Sequence, residues 1–339
     1  MSTTADDLRF GREIRELRLA RYFRLDLTVN ALRRLHTNVV DVLTPDHRYV
    51  RAFDTSHGTT IVSVEQTGAR KLRIAIDGGA GDEAEILATI QRMLGVDCDV
   101  TPFNRGAARI PWLRALAIRM RGIKPPRYPT LWEAFVNAVA FQQLSLHAAA
   151  AIVARMVVEL QPPIVHQGIV LYAFPTTGQF LGASERALRS AGLSSNKIAT
   201  LRRVADAISA GVLDERTLKD RPTADCLAVL GGIKGVGPWT ATVVLLRGLG
   251  RLDLFPLNDT SVVKNLALLP GAAPAALPQA LARLRPQQGM LYYHLLLARL
   301  ETRGALATFT GTCPLPCRTD KAQLPAVDVR SRINSSEAV

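Results

Sequence analysis

Two features of this sequence have residue types and spacing suited to chemistry. One is the glycine-rich turn Leu230-Gly-Gly-Ile233-Lys234-Gly235-Val236-Gly237-Pro238-Trp239-Thr240-Ala241. The other is a carboxylate, Asp259, 22 residues past Gly237. Glycines at 235 and 237 remove side chains and permit φ > 0. Pro238 suits the first position of a helix, where its missing N–H costs nothing. The first N–H groups of such a helix are unpaired and carry the positive end of its dipole. Ile233, Lys234, Gly235, Val236, Gly237 and Thr240 are therefore expected to form a phosphate seat, on whose backbone a DNA strand can lie. Asp259 has two readings from the residues alone. It is a lone carboxylate able to stabilise a developing cation, or the N-cap of a helix that begins Thr260-Ser261-Val262-Val263.

The rest of the chain must position these residues. At 339 residues it is long for a single core, and 48% hydrophobic residues can fill more than one. A formal net charge of +13 favours a polyanionic partner, nucleic acid first. The first residues, MSTTADDLRFGREIRELRLARYF, hold no apolar stretch of signal-peptide length. The Ala-rich run from His147 to Val153 is too short to span a bilayer. The expectation is a soluble, intracellular, cytoplasmic protein with no membrane partner. Four scattered cysteines fit reduced thiols. Cys313-Pro-Leu-Pro-Cys317 is an isolated pair read as structural or incidental, the six histidines show no metal spacing, and no metal site is expected.

Residues 1–105 alternate. Tyr22-Phe-Arg-Leu-Asp-Leu-Thr-Val, Thr59-Thr-Ile-Val-Ser-Val and Lys71-Leu-Arg-Ile-Ala-Ile have strand period, and Glu83 to Leu94 has helical spacing. This predicts a small α+β domain with an antiparallel sheet. From Ala107 the pattern turns helical, and an all-α domain is expected over 106–311. Arg105, Arg109, Arg114, Arg119, Arg121, Lys124 and Arg127 form a stretch without acids, read as a flank near phosphates or as a solvated face. Thr130 can cap a helix with Glu133 as the reciprocal member of a capping box. That helix ends at Phe141-Gln142-Gln143-Leu144-Ser145, where another begins. Two more helices are expected near Pro274–Leu284 and Gly289–Thr302. Residues 312–339 gain Pro, Ser and charge and read as a mobile tail.

The turn with its following aspartate resembles the helix-hairpin-helix of the DNA glycosylase superfamily. Gly-Val-Gly-Pro-Trp-Thr-Ala resembles the 3-methyladenine DNA glycosylase II (AlkA-type) branch. Leu131-Trp-Glu-Ala-Phe…Gln142-Gln-Leu-Ser resembles the family's pattern at its base-flipping pocket. Gly192-Leu-Ser-Ser-Asn-Lys-Ile-Ala resembles the segment leading into the hairpin. Phe23-Arg-Leu-Asp-Leu with Arg48-Tyr-Val-Arg-Ala-Phe resembles, loosely, the N-terminal domain. The resemblance covers roughly residues 20 to 305. It implies a DNA glycosylase of helix-hairpin-helix fold acting in base excision repair, as a monomer, on double-stranded DNA holding alkylated bases. It implies no cofactor, although a monovalent or divalent ion at the hairpin is admitted when DNA is bound.

By the same resemblance Asp259 is the catalytic residue. Cleaving the bond to an N3- or N7-alkylated purine neutralises the base, so no strong general acid is needed. Charge builds on the sugar instead, and one carboxylate suffices to stabilise it. Gln142 is expected to face the base pocket and Gln143 to fill the vacated stack, with Leu144 as the other plug, against the plainer reading of surface amides. Trp239 stands where relatives that cut the backbone carry a lysine. It offers a π-face to a cationic purine, or packs under the hairpin. Positions that are aromatic in relatives correspond to Val243 and Leu296, and Tyr292 or Tyr293 is expected to supply a ring instead. Lys234 and Lys264 read as phosphate contacts or solvated charges. A non-catalytic DNA-docking hairpin and a bifunctional glycosylase/lyase remain the alternatives.

Overall fold

The computed structural model describes residues 12–78 and 83–306. The expected tail over 312–339, with Cys313 and Cys317, lies outside the described residues. Five strands form one antiparallel sheet: β1 (Arg12–Arg18), β2 (Val42–Leu43), β3 (Tyr49–Thr55), β4 (Gly58–Gly68) and β5 (Lys71–Asp77), in the order β1-β5-β4-β3-β2. The helices are α1 (Leu25–Arg33), α2 (Glu83–Met93), α3 (Thr101–Ala107), α4 (Pro111–Arg119), α5 (Leu131–Ala140), α6 (Leu146–Leu160), α7 (Thr177–Gly182), α8 (Glu185–Ser190), α9 (Ser195–Ser209), α10 (Glu215–Asp220), α11 (Thr223–Gly231), α12 (Pro238–Val244), α13 (Thr260–Leu266), α14 (Leu277–Leu284) and α15 (Met290–Thr302). A hairpin of β6 (Ile164–His166) and β7 (Ile169–Leu171) follows α6. This is the α+β class the sequence predicts. No described helix is long and apolar enough to cross a membrane.

The period of two does what the sequence implies. Tyr49, Val62, Val64, Leu72, Ile74 and Ile76 join a core that continues into Trp132, Phe135 and Val139 of α5. The opposite face, through Val50 and Ala52, meets Leu171 and Ala173 beside the small hairpin. A bulge in β4 at Gln66/Gly68 lets Gln66 reach α1: its Oε1 accepts from Leu25 N at 2.9 Å and its Nε2 donates to Phe23 O at 2.7 Å.

Three sequence expectations change here. Tyr22 to Val29 is not a strand: residues from Leu25 onward form α1, buried along its whole length. Leu25, Val29 and Leu32 face one core and Leu27 and Ala31 another, so apolar residues on every side hide the helical period. β1, Arg-Glu-Ile-Arg-Glu-Leu-Arg, is a strand the sequence reading missed, because an edge strand carries charge. Thr130 caps α5, but Glu133 does not complete a capping box. Its carboxylate is buried and accepts from Arg51, Oε1 from Nη1 at 3.2 Å and Oε2 from Nη2 at 2.5 Å. Arg51 Nη1 also donates to Asp41 Oδ1 at 2.7 Å, which accepts from Tyr49 Oη at the same distance.

Two carboxyl groups therefore share one buried guanidinium. Burial pushes the Glu133 pKa up to about 7 against the pull of Arg51, with Asp41 adding to the rise. Since the folded value lies above the unfolded one, the stabilisation from this group is complete at acid pH and is lost as pH rises through 7. Glu133→Gln is expected to flatten the decline in melting temperature between about pH 5 and pH 8, and an unchanged slope would refute the assignment. Arg51→Met, which strands two buried carboxylates, is expected to cost about 3–5 kcal/mol in denaturant unfolding.

Candidate active site

The turn between α11 and α12 is closed by Val236 N–H donating to Ile233 O at 2.9 Å. Val236 is buried beneath it, while Lys234, Gly235 and Gly237 are exposed. Only Gly235 has positive φ, +99°. A Cβ there would sit 2.0 Å from Thr200 Oγ1 of α9, so the glycine is required by the backbone and by its neighbour. Gly237 is the N-cap of α12 with φ −82°, and a Cβ on it would meet open space. Its value to the turn is therefore external: it leaves the face above α12 clear. From below, Arg203 Nη1 donates to Lys234 O at 3.1 Å.

Beside this turn lies a cavity of about 890 Å³. Asp259, Trp239, Gln142, Tyr292 and Leu296 line it. Asp259 is half-buried and is the N-cap of α13, its Oδ1 accepting from Ser261 N at 2.8 Å. Its other oxygen has no protein partner among the described residues. The N-cap reading thus holds, and the capping residue also lines the cavity. Arg299 of α15 lines the same space, where burial lowers its pKa and the charge of Asp259 acts in the opposite sense.

Trp239 is half-buried, packing on the core beneath the hairpin while also lining the cavity. Tyr292 brings its ring to the wall and lies edge-on to Tyr293, with centroids 5.7 Å apart. Tyr293 itself is a correction to the pocket set. It is fully buried, its hydroxyl donates to Pro126 O at 3.1 Å, and burial pushes its pKa up. Val243 is a second correction: at 1% exposure it belongs to the core and not to the lining. Residues four apart share a helix face, and Leu296 and Tyr292 occupy the one that meets the cavity.

Gln142 departs from a simple pocket role. Its Nε2 donates to Gly235 O at 3.0 Å and to Thr240 Oγ1 at 2.8 Å, tying the end of α5 to the turn. Thr240 is buried, and its hydroxyl oxygen accepts this bond. Lys197 of α9, which the sequence reading passed over, donates through Nζ to Ala140 O at 2.9 Å and Gln142 O at 3.1 Å, and burial lowers its pKa. Gln143 then takes a left-handed conformation, φ +57°, and stands exposed beside Leu144, which is 42% exposed. Both are on the cavity rim. Of the basic stretch, Arg105, Arg109, Arg114, Arg119 and Arg121 are exposed but none lines the cavity, and Lys124 is buried against Cys98 O.

Arg34, just past α1, also lines the cavity and was not singled out from sequence. Its guanidinium lies 3.9 Å from the ring centroid of Phe141. Nothing in the local sequence could reveal a contact between positions so far apart. Among the described residues no group of three or more His, Cys, Asp or Glu is placed to hold a metal ion.

Comparison with known proteins agrees with this arrangement. Residues 136–285 match the family model described as HhH-GPD superfamily base excision DNA repair protein. A DNA-3-methyladenine glycosylase of Bacillus subtilis is 27% identical over 185 residues, 55% of this chain and 61% of the relative. The chain spans between 50% and 61% of the length of the first curated relatives it matches. Among solved structures, a 3-methyladenine DNA-glycosylase from Archaeoglobus fulgidus has a TM-score of 0.71 at 22% identity, covering 85% of this chain and 99% of that one. An 8-oxoguanine glycosylase/lyase of Clostridium acetobutylicum, in complex with DNA, reaches 0.66 at 17% identity over 86% of this chain and 98% of that one. The fold is common to both structures and does not separate their activities. Residues 136–285, a little under half of the chain, are thus the part similar to the HhH-GPD superfamily of base excision DNA repair proteins.

Proposed function

We propose that this protein is a monofunctional DNA glycosylase that extrudes alkylated purines such as 3-methyladenine and 7-methylguanine from duplex DNA and hydrolyses their N-glycosidic bond. The observation that carries the reading is the cavity itself, lined by one half-free carboxylate, Asp259, together with a half-buried indole and a tyrosine ring. The flipped nucleotide would stack on Trp239 and Tyr292. As the C1′–N bond lengthens, positive charge grows on the sugar, and Asp259 stabilises it and helps position the attacking water. The base arrives cationic and leaves neutral. The turn at Gly235–Gly237 would hold the strand by its phosphate, and Gln143 or Leu144 would fill the gap in the stack. The names of the relatives support the alkylated class of substrate. The protein acts alone, as a monomer on chromosomal DNA in the cytoplasm, without a cofactor beyond an ion at the DNA-bound hairpin.

Release of free 3-methyladenine and 7-methylguanine from alkylated duplex DNA, measured in single turnover, tests this directly, and a protein that binds such DNA without releasing base is a docking module instead. Asp259→Asn is expected to keep DNA binding and lose about 10²–10³ in excision rate. Near-normal excision by that variant would move the chemistry to another group.

The two glycines of the turn should separate cleanly. Gly235→Ala meets Thr200 and a positive φ, so it is expected to lower the melting temperature. Gly237→Ala meets neither and is expected to melt normally, yet to weaken binding to damaged and intact duplexes alike, with a smaller salt slope. A Gly237→Ala variant that binds as tightly as the wild type across a salt series removes the phosphate seat.

Trp239 cannot form an imine, so borohydride should trap no protein–DNA adduct, and abasic product should remain uncut until heat or alkali is applied. A trapped adduct during turnover makes the enzyme bifunctional. It would direct attention to Lys197 or Lys264, the lysines that line the cavity.

A further inference from the structure

Among the described residues, every other buried arginine is used by the protein itself. Arg51 holds Asp41 and Glu133. Arg247 donates through Nη2 to Ala31 O and Leu32 O, both at 2.9 Å. Arg33 donates to Asn30 Oδ1. Arg34 is the exception. It is 4% exposed, and no hydrogen bond or ion pair is made by its guanidinium among the described residues. Its Nη1 is sealed from solvent without a partner. One face of the group lies on the Phe141 ring, and the residue lines the same cavity as Asp259, Trp239 and Tyr292.

A buried charge without a partner costs free energy, and so does its backbone, which has φ +64° at a residue other than glycine. The surroundings hold it in place. Arg247 anchors the carbonyls three and two residues before it, and its own N–H donates to Asn30 O at 3.0 Å. A donor fixed this way on a cavity wall is organised before any ligand arrives.

The chemistry of that ligand follows from the group. A guanidinium presents a planar fork of donors that matches two neighbouring acceptors, as on the O6/N7 edge of a purine. It also repels a base that is already cationic. We propose that Arg34 is the specificity-determining residue of this pocket, donating to the acceptor edge of an extruded neutral 6-oxopurine, hypoxanthine being the simplest. The inference rests on the glycosylase reading above. With such a base the C1′–N9 bond breaks and its electron pair goes to the purine, which becomes anionic. Arg34 stabilises that charge at O6 and N7. The water oxygen bonds to C1′, and the proton it loses ends on the purine, which leaves neutral. A cationic purine develops no such negative charge and needs no such donor.

Single-turnover release of hypoxanthine and of 7-methylguanine, whose N7 is blocked, is compared on matched duplexes for the wild type, Arg34→Met and Arg34→Lys. Methionine keeps the stem over Phe141 and removes the donors. Its hypoxanthine release is expected to fall about 10²-fold, while 7-methylguanine release changes little or rises. Lysine keeps the charge without the fork, and a smaller shift of the same sign is expected. An unchanged ratio of the two rates, or an equal fall in both, overturns the proposal, as does a wild type that releases 7-methylguanine but no hypoxanthine. Should Arg34→Met lose its thermal transition, the ratio for Arg34→Lys decides by the same criterion. A wild type that releases neither base overturns the glycosylase reading itself.

Discussion

Arg51 is the constraint on which the placement of the site depends. It projects from β3 and is fully buried between Asp41 and the first turn of α5. Removing such a charge from water is expensive, and the cost is offset only by near-ideal geometry to both carboxyl groups. That geometry fixes the start of α5 against the sheet. The other end of α5 is then fixed as well, because Leu131–Ala140 is a single short helix buried on all sides. At that end stand Phe141, Gln142 and Gln143. A bond network far from the cavity therefore sets the position of the cavity rim.

A second buried arginine works in the same way from the other side. After α12 the chain makes a π-helical turn over Leu245–Leu249, and this turn carries Arg247 into the interior. There it meets the last carbonyls of α1 and the rings of Tyr128 and Tyr293. The helix that begins at the glycine turn is thereby joined to the segment that delivers Arg34. The Gln142 amide closes the circuit, since it bonds both the turn and α12. Sheet, α1, α5 and α12 are connected by side-chain donors to carbonyl or carboxylate acceptors, and these bonds have directions that apolar packing lacks.

Legibility in the sequence followed the range of the interaction. Asp259, Trp239 and the turn at Gly235 were readable because each depends on neighbours within a few residues: a cap, a helix start, a glycine conformation. Strands β4 and β5 were readable because one face is buried and the other is not. The segment forming α1 was misread because it is enclosed on every side, which erases the contrast that periodicity needs. Val243 and Tyr293 were placed in the pocket by register alone, and a register says which residues share a face without saying which face meets the cavity. Glu133 had the spacing of a capping box, yet a buried guanidinium attracts its carboxylate more strongly than a backbone N–H does. Arg34 and Lys197 were out of reach, because their partners lie on other elements.

One carboxylate, Asp259, both caps α13 and lines the cavity. Capping uses only Oδ1 of Asp259, and the bond to Ser261 N restricts the rotation of the group. An unrestrained carboxylate would lose side-chain freedom on meeting a developing cation, and that loss would oppose the interaction. Here part of that freedom is already lost in capping α13. Arg34 is likewise held in place, by its N–H bond to α1 and by the Phe141 ring. Asp259 and Arg34 line one cavity from different elements, α13 and the end of α1, and no ion pair joins them among the described residues.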